Sequence, residues 1–175
     1  MRSITLIIIA LFLLSCKGRF KAGEKHGSWN EYHLNGEISA SGTYNKGNRT
    51  GFWQDFYKNG QLKFESEYIE DEQDGEFKEF YINNQLKLYG FYINGQKTGD
   101  WIGYHANGKK AEIRHYHNDK KIGKWIWYYN HEKIEKSGQY GGHNRIGNWE
   151  YFNYQGKKTK DEFYENGKMI NSKNY

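Results

Sequence analysis

Glycine recurs every 24 residues along most of the chain, at Gly27, Gly51, Gly75, Gly99, Gly123 and Gly147. An aromatic stands two places after each: Trp29, Trp53, Phe77, Trp101, Trp125 and Trp149. Six copies at one spacing constrain the fold more than any other feature. Each copy is one small supersecondary unit that can bury its apolar surface only against its neighbours.

Counting each glycine as position 0, position 5 is aromatic in every copy (Tyr32, Phe56, Phe80, Tyr104, Tyr128, Phe152). Position 17 is always tyrosine: Tyr44, Tyr68, Tyr92, Tyr116, Tyr140 and Tyr164. Position 11 is Ile or Leu at Ile38, Leu62, Leu86 and Ile134, but Lys at Lys110 and Lys158. There is no proline, and beyond the first segment leucine occurs only at Leu34, Leu62, Leu86 and Leu88. An aromatic-rich, leucine-poor chain of this kind builds β-structure.

Turn residues sit at fixed places too. Positions 8 and 9 read Asn35-Gly36, Asn59-Gly60 and Asn107-Gly108, the pair that favours a two-residue type I′ hairpin. A second turn recurs at positions 19 and 20, as in Asn94-Gly95 and Asn166-Gly167. Two strands and two turns per copy predict an all-β, elongated, twisted antiparallel meander of stacked hairpins, solenoid-like, with about twelve strands.

A loop at positions 8 and 9 pairs residues whose positions sum to 17. Trp29 then faces Gly42, Phe77 faces Gly90 and Trp125 faces Gly138, each ring covering the glycine opposite it. Trp53, Trp101 and Trp149 face Ser66, Arg114 and Glu162 instead. Alternation puts positions 2, 11 and 17 on one face and position 5 on the other. The last half-copy, from Gly156 to Glu162, is polar and reads as a solvated end.

Residues 1–15 are of another class. Arg2 precedes an apolar run from Ile4 to Leu14, too short to span a bilayer, for which about 20 residues are needed. Cys16, the only cysteine, follows Leu13-Leu14-Ser15. This segment resembles the bacterial lipoprotein signal. The resemblance implies cleavage before Cys16 and a diacylglycerol on its sulfur, hence a lipid-anchored protein of the cell envelope. Lys17-Gly18, with no aspartate after the cysteine, implies by the same analogy the outer membrane of a Gram-negative cell, facing the periplasm. The expected division is a signal peptide at 1–15, a lipidated cysteine and short linker at 16–19, and a repeat domain at 20–175.

The unit Gly51-Phe52-Trp53-Gln54-Asp55-Phe56-Tyr57-Lys58-Asn59-Gly60-Gln61-Leu62, closed by segments such as Tyr92-Ile93-Asn94-Gly95-Gln96-Lys97-Thr98-Gly99, resembles the MORN repeat in its bacterial variant form. The resemblance covers roughly residues 20–167. It implies a scaffold or contact surface without catalytic residues. Bacterial relatives include antitoxins of toxin–antitoxin pairs.

The search for chemistry finds little. His115 and His117 alternate on one strand, but a metal site needs a third ligand, from His105, His131 or His143. Glu70-Asp71-Glu72-Gln73-Asp74 lacks the ligand spacing of a calcium loop and reads as a solvated turn. Trp127, off the period, is either additional core or an exposed anchor. Lys and Arg are dispersed rather than clustered, which argues against nucleic acid.

The expected function is therefore a non-enzymatic, membrane-anchored scaffold with no cofactor and no metal. It binds a protein or envelope component through a face carrying Trp29, Trp53, Phe77, Trp101, Trp125, Trp127 and Trp149. The alternatives are an antitoxin-like inhibitor, or a glycan-acting enzyme with paired carboxylates.

Overall fold

A computed structural model describes residues 16–175, and the expected leader at 1–15 lies outside them. All regular structure among these residues is strand. The chain falls into two compact units, one up to Asn84 and one from Gln85 to Tyr175.

The first unit holds β1 (Cys16–Lys21), β2 (Glu24–Tyr32), β3 (Ile38–Asn45), β4 (Asn48–Phe56), β5 (Leu62–Ile69) and β6 (Glu72–Phe80). The second holds β7 (Leu86–Ile93), β8 (Gln96–Tyr104), β9 (Lys110–His117), β10 (Lys120–Tyr128), β11 (Ile134–Gly141), β12 (Asn144–Phe152), β13 (Lys158–Glu165) and β14 (Lys168–Asn174). Within each unit the strands lie in the sheet in chain order, every neighbour antiparallel. The described strands exceed the expected twelve because both ends take part. Residues 16–19, expected as a linker, lie in β1, and β14 adds a strand after the last full copy.

The type I′ turn assigned from sequence to the first loop of each copy lies at the second loop instead. At the first, only position 9 has positive φ: Gly36, Gly60, Asn84, Gly108, Glu132 and Gly156. Gly36 N–H donates to His33 O, and His33 N–H donates to Glu37 O. That is a three-residue loop, a type I turn closed by a left-handed residue, rather than the expected type I′. The type I′ turn is the second one, where both central residues have positive φ, as at Lys46-Gly47, Asn94-Gly95 and Asn118-Asp119.

The extra residue of the first loop shifts the ladder by one. Glu31 pairs with Ala40, but Tyr32 pairs with Ile38, and Phe56 likewise pairs with Leu62. Position 11 thus sits directly opposite position 5, not with positions 2 and 17 on a separate face. Away from the loop the pairing follows the expected sum: Gly27 faces Tyr44, Trp29 faces Gly42 and Trp125 faces Gly138.

The periodic glycine makes a second irregularity. Gly51 has φ 66° and Gly99 has φ 65°, in the left-handed region that a Cβ disfavours. Between β3 and β4, Thr43 pairs with Thr50 and Ser41 with Gln54, so Gly51, Phe52 and Trp53 together oppose Gly42. This bulge turns the indole onto the preceding strand. A Cβ on Gly42 would stand 2.2 Å from the Trp53 ring, on Gly90 2.3 Å from Trp101, and on Gly138 2.1 Å from Trp149. Each ring therefore covers the glycine eleven residues before it, not the one opposite in its own hairpin. The apparent exceptions at Trp53, Trp101 and Trp149 vanish. The real ones are Phe77, which lies against Ser66, and Trp125, which lies against Arg114.

Candidate functional site

Trp and Tyr alternate edge-to-face along one side of the sheet. In the first unit the run is Phe20–Trp29–Tyr44–Trp53, with centroids 4.8–5.8 Å apart. In the second it is Tyr92–Trp101–Tyr116–Trp125–Tyr140–Trp149–Tyr164, at 4.8–6.2 Å. These are favourable aromatic geometries, worth about 0.5–1.5 kcal/mol per pair beyond area burial. Three indole N–H groups also donate to a backbone carbonyl ten residues earlier: Trp53 to Thr43, Trp101 to Phe91 and Trp125 to His115.

A cation lies over each pair of rings. Lys25 covers Trp29 and Tyr44, Arg49 covers Trp53 and Tyr68, Lys97 covers Trp101 and Tyr116, Lys121 covers Trp125 and Tyr140, and Arg145 covers Trp149 and Tyr164. Each stands two residues before a periodic glycine. The third copy has Gln73 there, and it donates to the Ser66 hydroxyl instead. Cations so placed interact with the ring quadrupoles and cover the rings with their methylene stems.

These cations differ in their partners. In the first unit Lys25 pairs with Glu31 at 3.2 Å and Arg49 with Asp71 at 3.3 Å. In the second, Arg145 lies 3.6 Å from Glu162, and Arg114 is joined to Glu112. Lys97, Lys121 and Lys136 have no carboxylate within ion-pair distance among the described residues. Burial, with Arg114 as a second cause, holds the Lys97 ammonium below its ordinary pKa. Lys136 lies 4.8 Å above Trp127.

The rims are stitched as well. At one, His33, Tyr57, His105 and Tyr129 each contact the carbonyl 23 residues ahead: Phe56, Phe80, Tyr128 and Phe152. At the other, Gly47, Asp71, Asp119 and His143 donate backbone N–H to Lys25, Arg49, Lys97 and Lys121 carbonyls.

The family model described as the MORN repeat variant matches residues 25–46, 49–70, 73–94 and 97–118, together half of the chain. The chain belongs to the MORN repeat variant family. Each matched MORN copy begins at the residue two before the periodic glycine and ends in the type I′ turn. A search of curated proteins found no match. Among solved structures the MORN chain is similar to TarM, at 14% identity and TM-score 0.38, over 69% of this chain and 23% of that one. A variant of S. aureus TarM in complex with fondaparinux, α-GlcNAc-glycerol and UDP gives 14% identity, TM-score 0.39, and 69% and 24% coverage. A GtfA/B complex bound to UDP and GlcNAc gives 13%, 0.29, and 68% and 22%. The MORN chain spans about a quarter of these structures' length.

The MORN fold places the expected contact residues in the interior. Trp101 and Trp149 are 0% exposed, and Trp29, Trp53 and Trp125 are each 3%. They are the core of a single-layer sheet, out of a partner's reach. Phe77 and Trp127 are half-buried. Trp127 touches both Trp125 (5.7 Å) and Trp149 (5.8 Å), so it extends the core while leaving part of its ring open. The cations were missed by sequence reasoning, although their 24-residue recurrence is visible at Lys25, Arg49, Lys97, Lys121 and Arg145.

His115 Nδ1 lies 2.6 Å from Asp100, and no three His, Cys, Asp or Glu residues are grouped to hold a metal ion among the described residues. Asp71, in the acidic turn, accepts Arg49 N–H at 2.8 Å. At the C-terminal end Glu162, expected as solvated, is 7% exposed. It accepts from Tyr151 (2.5 Å) and Tyr164 (2.9 Å) and pairs with Lys160 (2.5 Å). Burial alone would raise its pKa, but the hydrogen bonds from Lys160, Tyr151 and Tyr164 outweigh it and hold it at about 2. Burial and the bond to Glu162 push Tyr151 up to about 12.

Proposed function

We propose that this protein is a non-enzymatic scaffold, held to a bacterial envelope membrane through lipid on Cys16, that binds another envelope component on its ladder face. The support is the repetition of one surface element in register. The same ring pair and overlying cation recur in five of the six copies, and within each unit the rims lock neighbouring copies together. A face of this kind is a regular, preorganised platform, and it presents cations and half-buried rings rather than the deep indoles. The anchor rests on the leader and the lone cysteine.

Growth with an alkyne-tagged palmitate tests the anchor. Wild type should incorporate the label and fractionate with membranes, and Cys16→Ala should do neither. Unlabelled wild type in a soluble fraction would overturn the anchored reading and bring back the antitoxin-like alternative. Capture of envelope extract on the immobilised full chain tests the scaffold. Retention of a component that Lys97→Gln/Lys121→Gln releases supports it, and an unchanged profile overturns it.

A further inference from the structure

We propose that the ladder face of the second unit binds a linear acidic glycan carrying one carboxylate per disaccharide, along the line Lys97, Lys121 and Lys136 beside Trp127. This rests on the reading of the protein as an envelope-binding scaffold and names the component.

The inference starts from charge left uncompensated. Lys97 and Lys121 hold equivalent places in successive copies, their ammoniums 4.5–5.6 Å above two rings each. They are two strands apart, roughly 10 Å at the usual strand spacing. That step is close to one disaccharide of an extended glycan. Among the described residues no carboxylate stands within ion-pair distance of either lysine or of Lys136, although Asp119 acts on Lys97 through space. Equivalent cations of the first unit are neutralised at Glu31 and Asp71. Glu31, at position 4, is replaced by Gly103, Trp127 and Tyr151 in the second unit, whereas Asp71, at position 20, keeps a counterpart in Asp119, which accepts the Lys97 N–H at 2.9 Å. The carboxylates left on this face, Glu112 opposite Trp127 and Glu162 beside Tyr151, are held by Arg114 and Lys160.

Trp127 supplies the second element of recognition. Its half-buried ring is supported from below by Trp125 and Trp149, so it is rigid and loses little freedom on contact. Sugar C–H faces pack on such rings, while carboxylates meet the ammoniums. The other indoles of the face are buried, so none of them projects to enter a bilayer. A line of cations suits an extended polymer better than a convex protein.

The test uses the full chain carrying Cys16→Ala, so that its own acyl group cannot mediate binding. It is titrated with hyaluronan decasaccharide at low ionic strength, read by calorimetry and tryptophan fluorescence. Saturable binding is expected, weakened at least tenfold by Lys97→Gln/Lys121→Gln and less than twofold by Lys25→Gln. Uncharged chitohexaose should bind at least tenfold more weakly. Trp127→Ala should lower hyaluronan affinity at least fivefold, with unchanged circular dichroism confirming the fold. Should that variant unfold, Trp127→Phe gives the same reading with a smaller loss.

Three outcomes overturn the proposal. One is no saturable hyaluronan binding. Another is polyphosphate binding as tight as hyaluronan and indifferent to Trp127, which would mark a plain cation patch. The third is retention on phosphatidylglycerol vesicles without hyaluronan binding, which would mark a lipid surface. None of these bears on palmitate labelling of Cys16, so failure of the ligand and failure of the anchor are distinguishable.

Discussion

Two kinds of glycine carry the repeat, and their chemistry separates on substitution. Gly51 needs positive φ but has open space at its Cβ position, so Gly51→Ala should cost roughly 1–2 kcal/mol of backbone strain. Gly42 has ordinary φ, but the Trp53 ring occupies its Cβ position at 2.2 Å. Gly42→Ala must displace a core indole, so it should cost more than Gly51→Ala, about 2–4 kcal/mol. Urea denaturation of the two variants checks the order, and equal losses would contradict the packing. Glu162 adds a pH dependence. Its folded pKa of about 2 lies below the unfolded value near 4.5, so its contribution is present above pH 4.5 and lost as pH falls toward 2. Tyr151 works in the opposite direction: its contribution is present below pH 10 and lost as pH rises through about 12. Glu162→Gln should lower neutral-pH stability by about 1–3 kcal/mol and flatten the acid limb of a stability–pH curve.

At the scale of the hairpin, ring and covered residue form a matched pair across strands. Where position 15 keeps a hydrogen, at Gly42, Gly90 and Gly138, the next ring is Trp; where it is Ser66, the ring is Phe77; Arg114, whose guanidinium lies over Trp125, is the exception. Phe77→Trp alone should therefore destabilise, by about 1–2 kcal/mol, because the Ser66 side chain holds the space. Ser66→Gly alone should also destabilise, by leaving a gap and freeing the backbone. Together they should recover most of the loss, with a coupling of about 1–2 kcal/mol in a double-mutant cycle. Additive losses would mean that the ring covers some other residue. This pairing was half legible in the sequence. Period, strand count per copy and hairpin register follow from Gly, Trp and Asn-Gly spacing alone. The strand on which the indole lands does not, because it depends on a bulge that only Gly51 and its equivalents reveal through φ. The first turn was misassigned because Asn35-Gly36 looks the same in a type I turn closed by a left-handed glycine as in a type I′ turn.

At the scale of the whole chain, repeat stability is a sum over copies and their interfaces, and the ends are its weak points. Every residue of β14 is exposed, and the strand pairs only with β13. Hydrogen exchange should show residues 158–174 losing protection first on acidification below pH 4.5, before β8–β11. Uniform loss would argue for one cooperative block. The contact surface was the least legible part of the site. Composition identified the aromatic residues, but exposure is decided by stacking. The periodic tryptophans are sealed while Lys97, Lys121 and Trp127 remain accessible.

Strands β13 and β14 also show where the indole ladder stops. By period, position 0 after Gly147 falls at Asn171, which lacks positive φ, and β14 slips by one residue rather than forming the bulge. No indole is delivered over Glu162, and the carboxylate fills that space with Tyr151, Tyr164 and Lys160. The end of the indole ladder is thereby encoded locally, by residues 151–171. Duplicating a 24-residue segment upstream of Glu162 therefore lengthens the ladder, whereas the same segment placed after β14 meets a strand that carries no indole.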